Sequence, residues 1–186
     1  SLSNLVLDLG EVVHELQKER GLSAGFINSK GSRFSDNLKT QHQLTNEKMS
    51  RLLEAMSRVD RSFAEPRYVK LLETAAEPLS VLGKVREQIS RLALEPSESF
   101  QFYSDLIAHL LEVTVRTGNQ MPSPILSRLS NSKQALLYLK ERNGQERALL
   151  TGAFSAGHLT PSQFNTFLGL LRDQANFQRI TISYAT

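Results

Sequence analysis

Apolar residues recur along this chain at spacings of three and four, and no stretch alternates with the period of two that a strand requires. At about 100° per residue, Leu2, Leu5, Leu9, Val12, Val13, Leu16 and Ile27 share one stripe. Residues 3–28 are therefore predicted as one helix, about 40 Å long. Asn28-Ser29-Lys30-Gly31 ends it, with the glycine able to take a left-handed cap. Ser35 is expected to cap a second helix whose stripe holds Leu38, Met49, Leu52, Met56 and Val59, running to about Phe63 and stopping before Pro66. A third helical stretch begins near Arg67, breaks or kinks at Pro78, and carries Val69, Leu72, Leu79, Leu82, Val85, Ile89 and Leu92. Pro96-Ser97 opens a fourth, with Phe100, Tyr103, Leu106, Ile107, Leu110 and Val113 inward. A loop at Pro122 and Pro124 leads into a fifth over roughly 125–155. The sixth opens at Thr160-Pro161-Ser162-Gln163, a capping box with proline at the first helical position. The pattern predicts an all-α fold, an elongated antiparallel helical bundle of about six helices forming a single domain over residues 1–186.

Composition narrows the function more than the fold. The chain has 40% apolar and 22% charged residues, as soluble globular proteins do. Its net charge of +3 is small and dispersed, and it has no Trp, so neither an electrostatic footprint nor an aromatic platform for nucleic acid is present. Cysteine is absent, which suits the periplasm and equally the cytoplasm. The longest uninterrupted apolar run is Ala135–Leu139, far short of a membrane span, and no basic-then-apolar leader opens the chain. The polypeptide is expected to be soluble as given, and it can be a piece of a longer protein.

Two arginines stand where apolar residues are expected. Arg20 projects about 40° from Leu16, inside the first helix's apolar stripe, with Lys18 on the opposite side and Glu19 at the edge. On the fifth helix, Ile125, Leu129, Leu136, Leu150 and Phe154 define a stripe, and Arg147 falls within about 20° of Leu136. Arg142 lies about 120° away, toward solvent or another flank, although a slip of register would exchange its role with that of Arg147. Asn143 and Gly144 share the Arg147 side. The second helix is polar at Gln41, His42 and Thr45, which a hairpin about Gly31 would bring level with Arg20. A cation inside a core loses its hydration and needs a partner. A guanidinium can donate two parallel hydrogen bonds to two oxygens of one small planar anion, a match that lysine lacks. The competing explanation is an ordinary buried ion pair, for which Glu15, Glu19, Glu141 and Glu146 are the carboxylates at hand.

The segment HELQKERGLSAGF, residues 14–26, resembles the opening signature of the NIT domain, the nitrate- and nitrite-sensing family. KERNGQERALLTGAF, residues 140–154, resembles the second, with its ERA triplet at Glu146-Arg147-Ala148. The resemblance spans nearly the whole chain. It implies an all-helical sensor that grips nitrate or nitrite with Arg20 and Arg147, with Gly21, Ser23, Asn143 and Gly144 as neighbours. Phe26 stands where an aromatic such as tyrosine is common in the family, so a hydroxyl donor that tyrosine could supply is missing. The resemblance also implies an extracytoplasmic, periplasmic domain of a transmembrane receptor. Such a domain would act as a homodimer attached through flanking membrane segments, and would feed a chemoreceptor, kinase or cyclic-dinucleotide output. A soluble nitrate-responsive antiterminator is the alternative parent. A helical interaction module with no small-molecule ligand is the alternative from another class.

No catalytic constellation accompanies these features, and the chain is expected not to be an enzyme or to use a cofactor. His14, His42, His109 and His158 lack the four-residue spacing and cysteine company of a metal site. Gly25–Gly31 lacks the lysine-serine or lysine-threonine pair of a phosphate loop, and no serine occupies a nucleophile elbow.

Overall fold

The computed structural model describes the chain apart from residues 61, 63, 64, 122 and 186 and the side chains of 155, 156 and 185. Seven helices run through the described residues: α1 (Leu2–Asn28), α2 (Ser35–Ser57), α3 (Pro66–Thr74), α4 (Glu77–Ser90), α5 (Pro96–Asn119), α6 (Pro124–Ala156) and α7 (Pro161–Ala185). The all-α expectation holds. The count rises from six to seven because the third stretch divides at Ala75-Ala76, two residues ahead of Pro78, which sits in the first turn of α4 where its missing N–H costs nothing. The second helix ends at Ser57, earlier than expected, and Phe63 lies outside the described residues.

Two compact units divide the chain, Ser1–Met121 and Pro122–Thr186. In the first, α1 is the central element and packs against α2 and α5. Leu5, Leu9, Val12, Val13 and Leu16 of α1 meet a core that includes Leu52 of α2, Leu82 and Ile89 of α4, and Ile107 and Leu110 of α5. Each such side chain contributes about 1.5–3 kcal/mol of transfer free energy on burial. The α1–α2 hairpin is antiparallel: Glu11 pairs with Lys48 at 2.8 Å, and Glu15 accepts from Gln41 at 2.6 Å.

The turn between them is tighter than its sequence suggests. Gly31 has φ 78°, as a left-handed cap requires, but Ser35 is not the cap of α2. That position belongs to Phe34, itself left-handed at φ 68°. Its ring lies so close to Gly25 that a Cβ there would fall 2.9 Å from it, so the glycine in the first signature is a packing requirement.

In the second unit, α6 and α7 form an antiparallel pair joined through Gly157, left-handed at φ 76°. Thr160 and Gln163 close the expected capping box, with Thr160 N–H donating to Gln163 Oε1 at 2.9 Å and Gln163 N–H donating to Thr160 Oγ1 at 3.2 Å. Tyr138 and Phe177 stack with ring centroids 5.1 Å apart.

Candidate functional site

Arg20 is buried, 4% exposed, as its position in the α1 stripe predicts. Its surroundings differ from the sequence expectation. Gln41, His42 and Thr45 of α2 are engaged at Glu15 and Glu19, and Arg20 reaches Ser104 and Phe100 of α5. Its Nη1 donates to Ser104 Oγ at 2.9 Å, and the guanidinium lies over the Phe100 ring, 4.7 Å from the centroid. Ser104 in turn donates its hydroxyl proton to Phe100 O at 2.8 Å. With that proton committed to the backbone, the serine oxygen presents a lone pair to the arginine. The i, i+4 spacing puts ring and hydroxyl on one face of α5, so one element supplies both contacts to the guanidinium.

Glu19 is the main departure. Expected at the stripe's edge, it is fully buried, 0% exposed, because α2, α4 and α5 enclose more of α1 than one stripe. Arg86 of α4 grips it bidentately, Nε to Oε1 at 2.7 Å and Nη2 to Oε2 at 2.8 Å. Tyr103 donates its hydroxyl to Oε1 at 2.7 Å, and His42 Nε2 stands 3.6 Å from the same oxygen. Arg86 Nη1 also donates to Asn46 Oδ1 at 2.6 Å. Burial alone would raise the Glu19 carboxyl, but the Arg86 guanidinium and the Tyr103 hydroxyl hold it below its usual value. Burial pushes His42 below its usual value, with the Glu19 charge opposing and the Arg86 charge adding. Tyr103 is raised far above its ordinary range by burial and by the neighbouring carboxylate. Four helices meet at this one carboxylate.

The flanking carboxylates of Arg20 thus have other partners. Glu19 holds Arg86, and Glu15 accepts from Gln41 and pairs with Lys18 at 2.7 Å. Ser23 is buried, but its Oγ faces the Tyr103 hydroxyl at 3.5 Å, within the Glu19 cluster; Gly21 is exposed.

On the second signature, Arg147 and Asn143 are exposed and Gly144 is half-buried, so the expectation of a buried Arg147 is corrected. The stripe that contains it, with Ile125 (72% exposed), Leu129, Leu136 and Phe154 (83% exposed), points away from α7. Apolar side chains occur around most of α6, and α7 meets a different side, through Tyr138, Arg142 and Glu146. Glu146 accepts from Gln174 of α7 at 2.6 Å, and Glu141 from Gln145 at 2.9 Å. Arg142 meets a flank, as expected: its Nε lies 3.1 Å from Asp173 Oδ2 of α7. The sequence reading missed Arg86, Tyr103, Ser104 and Phe100 as partners. A signal existed for two of them, since Arg86 follows Leu82 by four residues and Ser104 adjoins Tyr103 on the inward side of α5.

The family model for nitrate and nitrite sensing matches residues 11–186, which takes in both signatures. This chain belongs to the NIT family. The NIT chain shares the fold of the NasR transcription antiterminator structure, with a TM-score of 0.92 and 22% identity over all of this chain and 50% of that one. It is also similar to the nitrate regulatory protein of Klebsiella oxytoca, 24% identical over 152 residues. That match takes in 82% of this chain but 38% of the regulatory protein, so the NIT domain spans well under half of its curated relative.

Proposed function

We propose that this domain binds nitrate or nitrite and that Arg20 donates to the anion. The observation that carries the reading is a buried arginine in the family's first signature whose guanidinium lies over the Phe100 ring and donates to Ser104. A guanidinium seated over the Phe100 ring suits a planar oxyanion, since its own N–H groups lie in one plane and can meet two oxygens of one anion. Arg147, from the second signature, is the second proposed ligand, with Gly21, Ser23, Asn143 and Gly144 as secondary candidates. The domain acts as a sensor and carries out no reaction. It influences an output only to the extent that the anion binds one conformation better than another, and about 1.4 kcal/mol of preference shifts the populations tenfold.

The parent is a longer regulatory protein. The two similar proteins, an antiterminator and a nitrate regulatory protein, favour a gene-regulatory parent over the periplasmic part of a membrane receptor. No helix among the described residues is long and apolar enough to cross a membrane. Association as a homodimer is part of the proposal and is read by light scattering of the purified domain.

Thermal unfolding with millimolar nitrate, nitrite, chloride or sulfate tests the ligand. A ligand that binds the native state raises the transition, by about 2.7 kcal/mol at a hundred times its Kd. Nitrate or nitrite is expected to stabilise the domain selectively, with the effect lost in Arg20→Ala and in Arg147→Ala. No response to any of the four anions would refute the assignment and leave a helical interaction module. Fractionation of the full-length parent separates its two contexts: recovery in the membrane pellet would reverse the preference stated here.

A further inference from the structure

The second unit leaves one side of its helix pair exposed. On α7, Phe164, Leu168, Leu171, Ala175, Gln178 and Ile182 are all exposed, and they follow one another at spacings of four and three. That is the heptad spacing by which one helix seats its side chains between those of another. On α6 the exposed Ile125, Leu129, Leu136 and Phe154 form a second stripe, interrupted by Asn143 and Arg147. Neither stripe lies where the two helices meet. There, Asp173, Gln174 and Phe177 of α7 touch Arg142, Glu146 and Tyr138 of α6. At about 100° per residue, each stripe is about 120–130° round its helix from that contact, in the same rotational sense. Because the helices run antiparallel, equal rotations bring both stripes to one side of the pair.

We propose that this side of α6 and α7 is where a second copy of the chain docks, the two helix pairs closing a four-helix bundle about a two-fold axis. Two antiparallel helices with a shared apolar side are half of such a bundle. The exposed fractions of the Leu, Ile and Phe side chains there amount to roughly 800 Å². A monomer's largest apolar patch is about 300–600 Å², whereas one partner's share of a stable interface is about 800 Å². A second copy brings the same stripes at the same spacing, as a self-complementary contact requires. Asn143 and Arg147 fit a helical partner too, since a polar residue in a seam fixes register at some cost in stability. The inference rests on the reading of the domain as a homodimer, and it names the surface.

The test is sedimentation equilibrium of the purified domain over a dilution series, with far-UV circular dichroism to check folding. The variants are Leu129→Glu on α6, Leu168→Glu on α7, and Leu53→Glu at an exposed leucine of α2 as the control. The wild type is expected to be a dimer. Each glutamate on the α6–α7 side enters a two-fold contact twice, and is expected to raise the dimer Kd by about a hundredfold or more. The control is expected to leave Kd within about threefold of wild type. Should a glutamate variant fail to fold, Leu168→Ala carries the same question, with Kd raised by about tenfold. A monomeric wild type would remove the homodimer and its surface together. A wild-type dimer that the α6 and α7 variants leave intact, or that Leu53→Glu dissociates as readily, would overturn the surface alone.

Discussion

Two buried tyrosines of the first unit offer a controlled comparison of what a hydroxyl contributes beside a charge. Tyr103 is 0% and Tyr68 3% exposed, and both have a hydroxyl partner inside the core. Tyr103 donates to the Glu19 carboxylate at 2.7 Å, whereas Tyr68 donates to the neutral Thr117 Oγ1 at 3.1 Å. Replacing each by phenylalanine removes one oxygen and leaves the ring in place. Hydrogen bonds to charged groups contribute about 1.5–3 kcal/mol and neutral ones about 0.5–1.5 kcal/mol. Tyr103→Phe is therefore expected to cost about twice as much as Tyr68→Phe. The cost includes leaving Glu19 with one donor fewer and the Ser23 hydroxyl without its neighbour. Urea unfolding followed by far-UV circular dichroism reads the difference, with an unchanged slope marking an unchanged folded state. Equal costs, or a larger cost at Tyr68, would show that the Glu19 cluster is not the strongly bonded centre described here.

Acidification should destabilise the domain in two stages. Glu19 titrates below its ordinary value when folded, so its contribution is complete above the unfolded value of about 4.3 and is lost as pH falls through the folded one. His42 is also held low, so folding favours its neutral form and stability begins to decline below about pH 6.5. A melting temperature that rises between pH 7 and pH 4 contradicts both signs. Gly31→Ala places a Cβ on a residue at φ 78° and 3.4 Å from the Phe26 ring, and should cost about 1–2 kcal/mol in chemical denaturation. No loss there would mean that the hairpin can be closed another way. Ser104→Ala removes the acceptor that fixes Arg20 Nη1 and is expected to weaken nitrate binding by about threefold to tenfold in calorimetry, and to cost the anion-free domain about 1.5–3 kcal/mol in urea unfolding because the bond is to a charged group. Identical affinity would detach Ser104 from the site.

Much of the helical architecture is legible in the sequence because apolar periodicity and punctuation agree: Pro96, Pro124 and Pro161 each open a helix, and Gly31 and Gly157 adopt left-handed turns. What the pattern cannot supply is which face meets which neighbour. On α1 the phase places Arg20 correctly inside, since a single stripe dominates that helix. It underestimates Glu19, because enclosure by three helices widens the buried arc and a charged residue is admitted there only with a fork such as Arg86 waiting on a distant element. On α6 apolar residues lie on more than one side, and the periodicity offers no ground for choosing between the side α7 covers and the side bearing Arg147. Register across α1 and α2 shows the same limit. Gln41, His42 and Thr45 do fall opposite the first signature, where they serve Glu15 and Glu19.

The rigidity of α1 gives the imidazole of His42 a practical use. Successive residues of a helix move together, so a displacement of Arg20 along the axis carries the adjoining carboxylate with it and alters the 3.6 Å gap to Nε2. The ring sits on α2, outside the proposed anion contacts, and its titration depends on that gap through the field of the carboxylate. A histidine carbon-bound proton followed by NMR against pH would then act as an internal voltmeter, reading from within the bundle whether an anion has moved the neighbouring helix.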